Sequence, residues 1–241
     1  SVLTGLNWNS PEKDNTRLGV FFEAGSGKYD AAQGDGRLGS VEGDGEIRYH
    51  GGGVLGVVGL PAGLYAEGSL RAGRVHTDFG SDYTREALGQ DAGYDLSSSY
   101  YGAHAGIGGQ GRITENTFVD VYGKYLWLKQ EGSEASVLGD SVRFDSVDSQ
   151  RVKTGVRFSY AFAQGFIPYI GAAYEYELDG ESRAEAEGVS LASSSLRGGT
   201  GIGEAGVAYR GPEGLYVELS GKGFTGTTEG GSGELTVGVE F

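Results

Sequence analysis

The end of the chain alternates without a fault. From Ser232 to Phe241, Leu235, Val237, Val239 and Phe241 fall on one face of an extended strand; Glu234, Thr236, Gly238 and Glu240 fall on the other. A period of two marks a strand whose faces meet different surroundings. Two kinds of structure satisfy it. In a soluble sheet the apolar face meets a core and the polar face water. In a membrane barrel the apolar face meets lipid and the polar face a hydrated lumen.

The same pattern recurs along the chain. Between Val142 and Phe162, Val152, Thr154, Val156, Phe158, Tyr160 and Phe162 oppose Arg151, Lys153, Gly155, Arg157, Ser159 and Ala161. Phe166, Pro168, Ile170, Ala172, Tyr174 and Tyr176 then oppose Tyr169, Gly171, Ala173, Glu175 and Glu177. Leu64, Ala66, Gly68 and Leu70 oppose Tyr65, Glu67, Ser69 and Arg71, and Val119, Val121, Tyr125 and Trp127 oppose Asp120 and Lys124. Such stretches exceed the about 5–6 residues of a mean globular strand and suit the about 9–11 of a tilted membrane strand. Trp127, Phe162, Tyr174, Tyr176 and Phe241 stand where barrel strands carry interfacial aromatics.

The breaks between these stretches alternate in length. Short ones lie near Asn9–Asn15, Gly59–Ala62, Arg112–Asn116, Phe162–Gly165 and Gly211–Gly214. Longer ones lie near Asp30–Gly45, Thr77–Leu96, Lys129–Asp140, Asp179–Gly199 and Thr225–Gly231. Outer-membrane barrels have short periplasmic turns and longer extracellular loops, whereas a sandwich has no reason to alternate so regularly. The expected fold is therefore all-β: an antiparallel transmembrane barrel of about eleven strands, in the bacterial outer membrane. A helical turn is expected only near Ala184–Leu191.

Charge sorts on the same map. Facing Arg or Lys to lipid at the midplane costs about 2–4 kcal/mol, so Arg151, Lys153 and Arg157 are expected to face the lumen. The expected pore-lining set is Arg71, Asp120, Lys124, Arg151, Lys153, Arg157, Glu175, Glu177, Glu204 and Glu218. Arg48, Glu67 and Lys222 are read as inward too. The acidic residues concentrate in the long breaks, and the net charge of -14 excludes nucleic acid, which needs clustered bases, as a partner. Hydrophobic residues make only 38% of the chain, and no run approaches the roughly 20 apolar residues of a membrane helix. With no Cys, neither disulfides nor thiolate metal sites exist. No Met stands even at position 1, so Ser1 is expected to begin a mature or excised segment.

Catalytic and ligand motifs fail on inspection. Gly34–Gly39, Gly106–Gly111 and Gly201–Gly206 match the spacing of a dinucleotide turn, but no helix follows to meet a pyrophosphate. Gly25-Ser26-Gly27-Lys28 lacks the flanking residues of a phosphate loop. His50, His76 and His104 are dispersed, without metal spacing, and no nucleophile elbow occurs. The acidic run Asp30–Glu46 has no calcium-loop register. No catalytic residue, metal site or cofactor is expected; the 47 glycines read as thinning a barrel wall or easing its curvature.

From Arg143 the stretch RFDSVDSQR, with Gly155-Val156-Arg157 after it, resembles a strand of the autotransporter β-domain, the translocator of type V secretion. Pro168–Tyr176, Gly198–Glu204, Gly221–Phe241, Phe21–Gly27 and Arg48–Gly53 continue the resemblance in order, over nearly the whole chain. Leu235, Val237, Val239 and Phe241 resemble the terminal signal that the barrel assembly machinery reads. The resemblance implies a twelve-stranded barrel, a helical linker through the pore, and a passenger delivered to the cell surface. Its partners would be outer-membrane lipid, the assembly machinery, and the chain's own upstream passenger and linker. An independent outer-membrane porin or adhesion barrel is the alternative; an outer-membrane enzyme would need Asp/His or Ser/His clustered at one rim. No pore helix and no self-cleavage residues are found in this chain.

Strand direction adds one expectation. With the short turns periplasmic, Val2–Trp8 and the last strand run the same way and cannot pair antiparallel. A twelfth strand is therefore expected before Ser1, with a gap or irregular seam between Val2–Trp8 and Glu234–Phe241.

Overall fold

The computed structural model describes residues 1–9, 16–35, 39–80, 93–137, 140–186, 189–190 and 193–239. The strands are β1 (Val2–Asn9), β2 (Thr16–Asp35), β3 (Gly39–Gly59), β4 (Leu64–Gly80), β5 (Tyr94–Arg112), β6 (Thr117–Gln130), β7 (Ser133–Val137), β8 (Asp140–Phe144) and β9 (Val147–Tyr160). There follow β10 (Phe166–Glu177), β11 (Glu181–Ser182), β12 (Ala184–Ala186), β13 (Val189–Ser190), β14 (Ser194–Ser195), β15 (Gly198–Arg210), β16 (Leu215–Gly226) and β17 (Gly230–Val239). Eleven of them form one antiparallel sheet in the order β1-β2-β3-β4-β5-β6-β9-β10-β15-β16-β17. Each pairs with its neighbour along the chain, as hairpins do; among the described residues β1 and β17 do not pair with each other.

Register carries the alternation from strand to strand. Phe22, Gly52, Ala72 and Tyr101 are successive partners on one face, and Glu23, Gly51, Gly73 and Tyr100 on the other. On the first face large apolar side chains stand exposed: Leu70 at 62%, Ile107 at 66%, Ile170 at 65% and Val237 at 63%. Buried apolar side chains, among the described residues, are only Tyr100, Val142, Tyr169, Ile202 and Ala208. A soluble sandwich with this sequence would pack that face against a second layer, and none is present among the described residues. In water each such Leu or Ile forgoes roughly 1.5–3 kcal/mol; hydrocarbon supplies it.

The apolar face spans about ten residues per strand, the depth a membrane strand needs. On β9 it runs from Val152 to Tyr160 and on β4 from Leu64 to Ala72. Aromatics mark both limits. Trp8, Tyr160, Phe162, Phe166 and Tyr209 lie toward the short turns; Tyr101, Tyr125, Trp127, Tyr174 and Tyr176 lie toward the long connections. These are the two girdles of an outer-membrane strand band.

Two short turns share one geometry. Pro61–Gly63 and Pro212–Gly214 each form a single 3-10 turn with Pro first. The residues after Pro sit left-handed, Ala62 at φ 61 and Gly63 at φ 77, Glu213 at φ 57 and Gly214 at φ 75. Pro presets the first φ and Gly accepts the last, while Ala62 and Glu213 bear about 1–2 kcal/mol of strain each.

Several expectations are corrected. The long strand expected from Val142 to Phe162 is two, broken at Asp145–Ser146. There the Asp145 N–H donates to the Arg183 carbonyl at 3.0 Å, and the first half joins a separate sheet of order β13-β12-β8-β7. The described residues of the run 184–191 are strand, Ala184–Ala186 and Val189–Ser190, not the expected helical turn, because Glu185 and Ala186 pair with Arg143 and Val142. Asp30–Gly45 is mostly strand: β2 and β3 stay paired from Asp30↔Asp44 up to Asp35↔Gly39. Thr225–Gly231 shrinks to the connection 227–229 between β16 and β17. Arg48 lies on the outer face, in register with Ser26 and His76. It stands above the apolar band, where hydrocarbon no longer sorts polarity. Residues 10–15, most of the first short break, lie outside the described residues.

The last strand provides a direct test. Val237 is outward and Thr236 is opposite Glu218 on the other face. Val237→Asp is expected to reduce membrane-inserted, heat-modifiable protein severalfold, and Thr236→Asp to leave it near wild type. Equal amounts for both would contradict the face assignment.

Candidate functional site

The second face carries the charge. Its described basic side chains on the main sheet are Arg17, Arg71, Arg112, Lys124, Arg151, Lys153, Arg157, Arg210 and Lys222. Its acids are Glu23, Glu67, Asp120, Glu175, Glu177, Glu204, Glu218 and Glu234. Among the described side chains nine cations thus face eight anions, although the chain as a whole carries -14. The negative excess lies elsewhere, largely in the long connections.

Contacts on this face skip strands. Lys124 on β6 meets Glu67 on β4 at 2.5 Å. Arg157 on β9 forks onto Glu204 on β15, at 2.8 and 3.1 Å. Tyr65 on β4 donates to Asp120 on β6 at 3.0 Å, and Tyr169 on β10 to Glu218 on β16 at 2.5 Å. Neighbouring strands lie about 4.8 Å apart, so each pair bridges about 10 Å. Side chains reach that far when the sheet curls toward them. Among the described residues, the outer-face contacts between strands join only neighbours, such as Tyr125 with Gln150 and Phe166 with Tyr209. The charged face is therefore the concave one.

Glycine makes the bridging possible. Glu67, Gly106 and Lys124 stand in one row across the sheet, as do Arg157, Gly171 and Glu204. A Cβ on Gly171 would lie 2.5 Å from Glu204 Oε1, and one on Gly106 3.1 Å from the Cγ of both Glu67 and Lys124. The longest bridge crosses two strands. Tyr100 on β5 lies over Gly73 and Gly51 and donates to Glu23 on β2 at 2.7 Å. Arg71 meets the same carboxylate at 3.3 Å. Tyr65 over Gly108 and Tyr169 over Gly206 repeat the device.

All ten expected pore-lining residues share this face. Arg151 reaches Glu175 at 3.2 Å and Glu177 at 3.7 Å, and Lys153 lies 4.0 Å from Glu175. Glu177 also accepts from Ser149 at 2.7 Å. Tyr216 donates a short hydrogen bond to Glu218. Leu235, Val237 and Val239 lie on the opposite, outer face; Phe241 lies outside the described residues. Sequence reasoning missed Glu23, Tyr100 and the tyrosine–carboxylate pairs, whose partners are far apart in the chain. The signal was available as Tyr and Gly at inward parity on successive strands.

The histidines separate. His104 sits on the inner face, its Nδ1 2.6 Å from Ser69 Oγ and its Nε2 3.5 Å from Glu67. His76 faces outward, 3.5 Å from Asp78 and 3.3 Å from Asp95, so three potential metal donors lie within 4.8 Å of one another. Register across β4 and β5, not sequence spacing, brings them together. The dinucleotide-like runs Gly106–Gly111 and Gly201–Gly206 lie inside β5 and β15, with no helix after them. In the connection after β10, Arg183 donates to Glu181 at 2.8 Å and holds that carboxyl below its ordinary range.

A curled antiparallel sheet, apolar and girdled outside, charged within, defines an outer-membrane β-barrel of Gram-negative bacteria. Residues 1–231 match the family model of the autotransporter beta-domain, and the chain belongs to that family. The transport unit of the autotransporter AIDA-I from Escherichia coli superposes with a TM-score of 0.73 at 16% identity, covering 99% of this chain and 80% of that one. The translocator domain of NalP from Neisseria meningitidis gives 0.73 at 14%, covering 99% and 78%. The β-domain of Bordetella BrkA gives 0.55 at 15%, covering 98% and 92%. At these identities the likeness establishes the fold. No curated protein matches the sequence significantly. The chain is an outer-membrane translocator domain of type V secretion, of the kind that delivers an attached passenger to the cell surface.

Two substitutions test the inner face. Gly73→Val puts methyl groups under the Tyr100 ring, where even a Cβ lies 2.6 Å from Tyr100 Cε1 and 2.3 Å from the His50 carbonyl oxygen. A loss of about 1–3 kcal/mol is expected, read as a lower urea midpoint of the folded barrel. Arg157→Met strands Glu204, whose side chain is 9% exposed, and is expected to cost roughly 1–3 kcal/mol. The double variant Arg157→Met/Glu204→Gln should recover part of it.

Proposed function

We propose that the concave face lines a hydrated pore that holds the segment joining this barrel to its passenger. Arg71, Asp120, Lys124, Arg151, Lys153, Arg157, Glu175, Glu177, Glu204 and Glu218 would form the lining. The near balance of charge on that face supports the reading. A wall of one sign would grip a chain of the other, whereas ions already paired within the wall offer a passing polypeptide water and weak contacts. No residue performs covalent chemistry in this reading; the domain positions and conducts.

The edges of β1 and β17, which pair with no further strand among the described residues, extend the proposal. Backbone groups left open in hydrocarbon cost several kcal/mol each. One further strand, antiparallel to both edges, would close the wall and bring the count to twelve. Leu235, Val237, Val239 and Phe241 would be read by the barrel assembly machinery during insertion, with outer-membrane lipid as the lasting partner of the outer face.

The chain contains no Cys, so single replacements report cleanly. Lys153→Cys in membranes should react within minutes with a water-soluble maleimide too large to enter lipid. Val152→Cys, one residue away, should resist it. Lys153→Cys should also crosslink to a cysteine in the passenger-connecting segment. Protection at 153 with reaction at 152 would reverse the assignment.

A further inference from the structure

The outer face changes character in steps above the apolar band. The row Phe22, Gly52, Ala72 and Tyr101 ends the band on β2–β5. The next row toward the long connections is Ala24, His50, Arg74 and Ser99; then come Ser26, Arg48, His76 and Ser97. Lys28 stands one row higher, beside Glu46 and Asp78. Three permanent cations and two histidines thus face outward on three adjacent strands, directly above the girdle. Elsewhere at this level the described outer face bears one cation, Lys129, which is paired with Asp148 at 3.5 Å. Beyond it, the outward positions of β10 and β15–β17 carry no base.

The cations are not equally engaged. Arg48 is forked onto Glu46 at 2.9 Å and lies 3.9 Å from Asp78. Asp95 is matched with His76. Arg74 is exposed and has no ion-pair partner among the described residues. Its neighbours across the ladder are His50 and Ser99, both with donors to offer. A guanidinium at the hydrocarbon boundary lies at the depth where lipid phosphates lie, and its fork fits a phosphate. A base beside an anionic lipid surface is drawn to it electrostatically.

We propose that Arg74, with His50 beside it, binds the phosphate of an outer-leaflet lipid headgroup. The long connections place this end of β4 on the cell-surface side, so the ligand is a phosphorylated lipid of that leaflet. Arg48 and Lys28, on the rows above, offset the outward carboxylates of Glu46 and Asp78, which would otherwise repel an anion. On a chain of net charge -14 this is the sector where an anionic headgroup can approach the wall.

Native mass spectrometry of the full chain in a neutral detergent tests the site. Lipid A serves as the phosphorylated probe, its dephosphorylated form as the control, and inorganic phosphate as competitor. Retention of lipid A by the wild type is expected, falling about tenfold in Arg74→Gln and by less in Arg74→Lys, which keeps the charge but loses the fork. Arg143→Gln, a change at an exposed base on β8 outside the membrane wall, should not alter it. Heat-modifiable mobility verifies folding of each variant. Equal retention by wild type and folded Arg74→Gln would overturn the proposal. So would equal retention of the dephosphorylated lipid, which requires only the wild-type protein. Displacement by millimolar inorganic phosphate, with the same dependence on Arg74, would reassign the site to a free anion and overturn the lipid.

Discussion

Hydrocarbon offers no hydrogen-bond partner, so a chain that crosses it must satisfy every backbone N–H and C=O internally. Here the ladder from β1 to β17 does so for each strand between its two edges. The strict period of two follows, since a ladder through lipid shows alternate side chains to alternate solvents. The pairing of successive strands follows as well, because a hairpin is the shortest way to give a new strand a partner. The same demand makes the edges of β1 and β17 the costly part of the architecture.

A ladder twists by itself, and the inner face adds to the curl. Charges excluded from lipid are gathered on one side, and rows such as Arg157–Gly171–Glu204 let them meet across an intervening strand. The glycine in the middle removes the Cβ that would hold the partners apart. The glycines are therefore partners of the long side chains. A tyrosine or arginine without its glycine could not lie down, and a glycine without its tyrosine would leave a hole. Tyr100 over Gly73 and Gly51 is the fullest case, tying β5 to β2 across two strands.

Most of the wall was legible in the sequence because hydrocarbon imposes a rule on every second residue. Val152 against Lys153, or Leu70 against Arg71, can be sorted without knowing any neighbour. The rule lapses where lipid ends. Arg48 was misplaced because outer-face polarity above the band is unconstrained. Ala184–Ala186 was misread because its strand exists through pairing with β13 and with β8, the latter distant in the chain. Within the site, the faces of Arg157 and Glu204 were readable but their pairing was not, since it depends on register between β9, β10 and β15. His76, Asp78 and Asp95 escaped for the same reason.

The strands differ in reach. β2 and β3 run 20 and 21 residues, β4 and β5 17 and 19, whereas β15, β16 and β17 run 13, 12 and 10. Only about ten residues of each lie in the bilayer, so the tall strands stand roughly 25 Å clear of it and the short ones barely emerge. The mouth of the barrel is thus a slanted lip, like a jug's. A polypeptide leaving it meets a high wall on the side of β2–β5 and a low sill on the side of β15–β17. Strand length alone would give its exit a heading, before any part of it has folded.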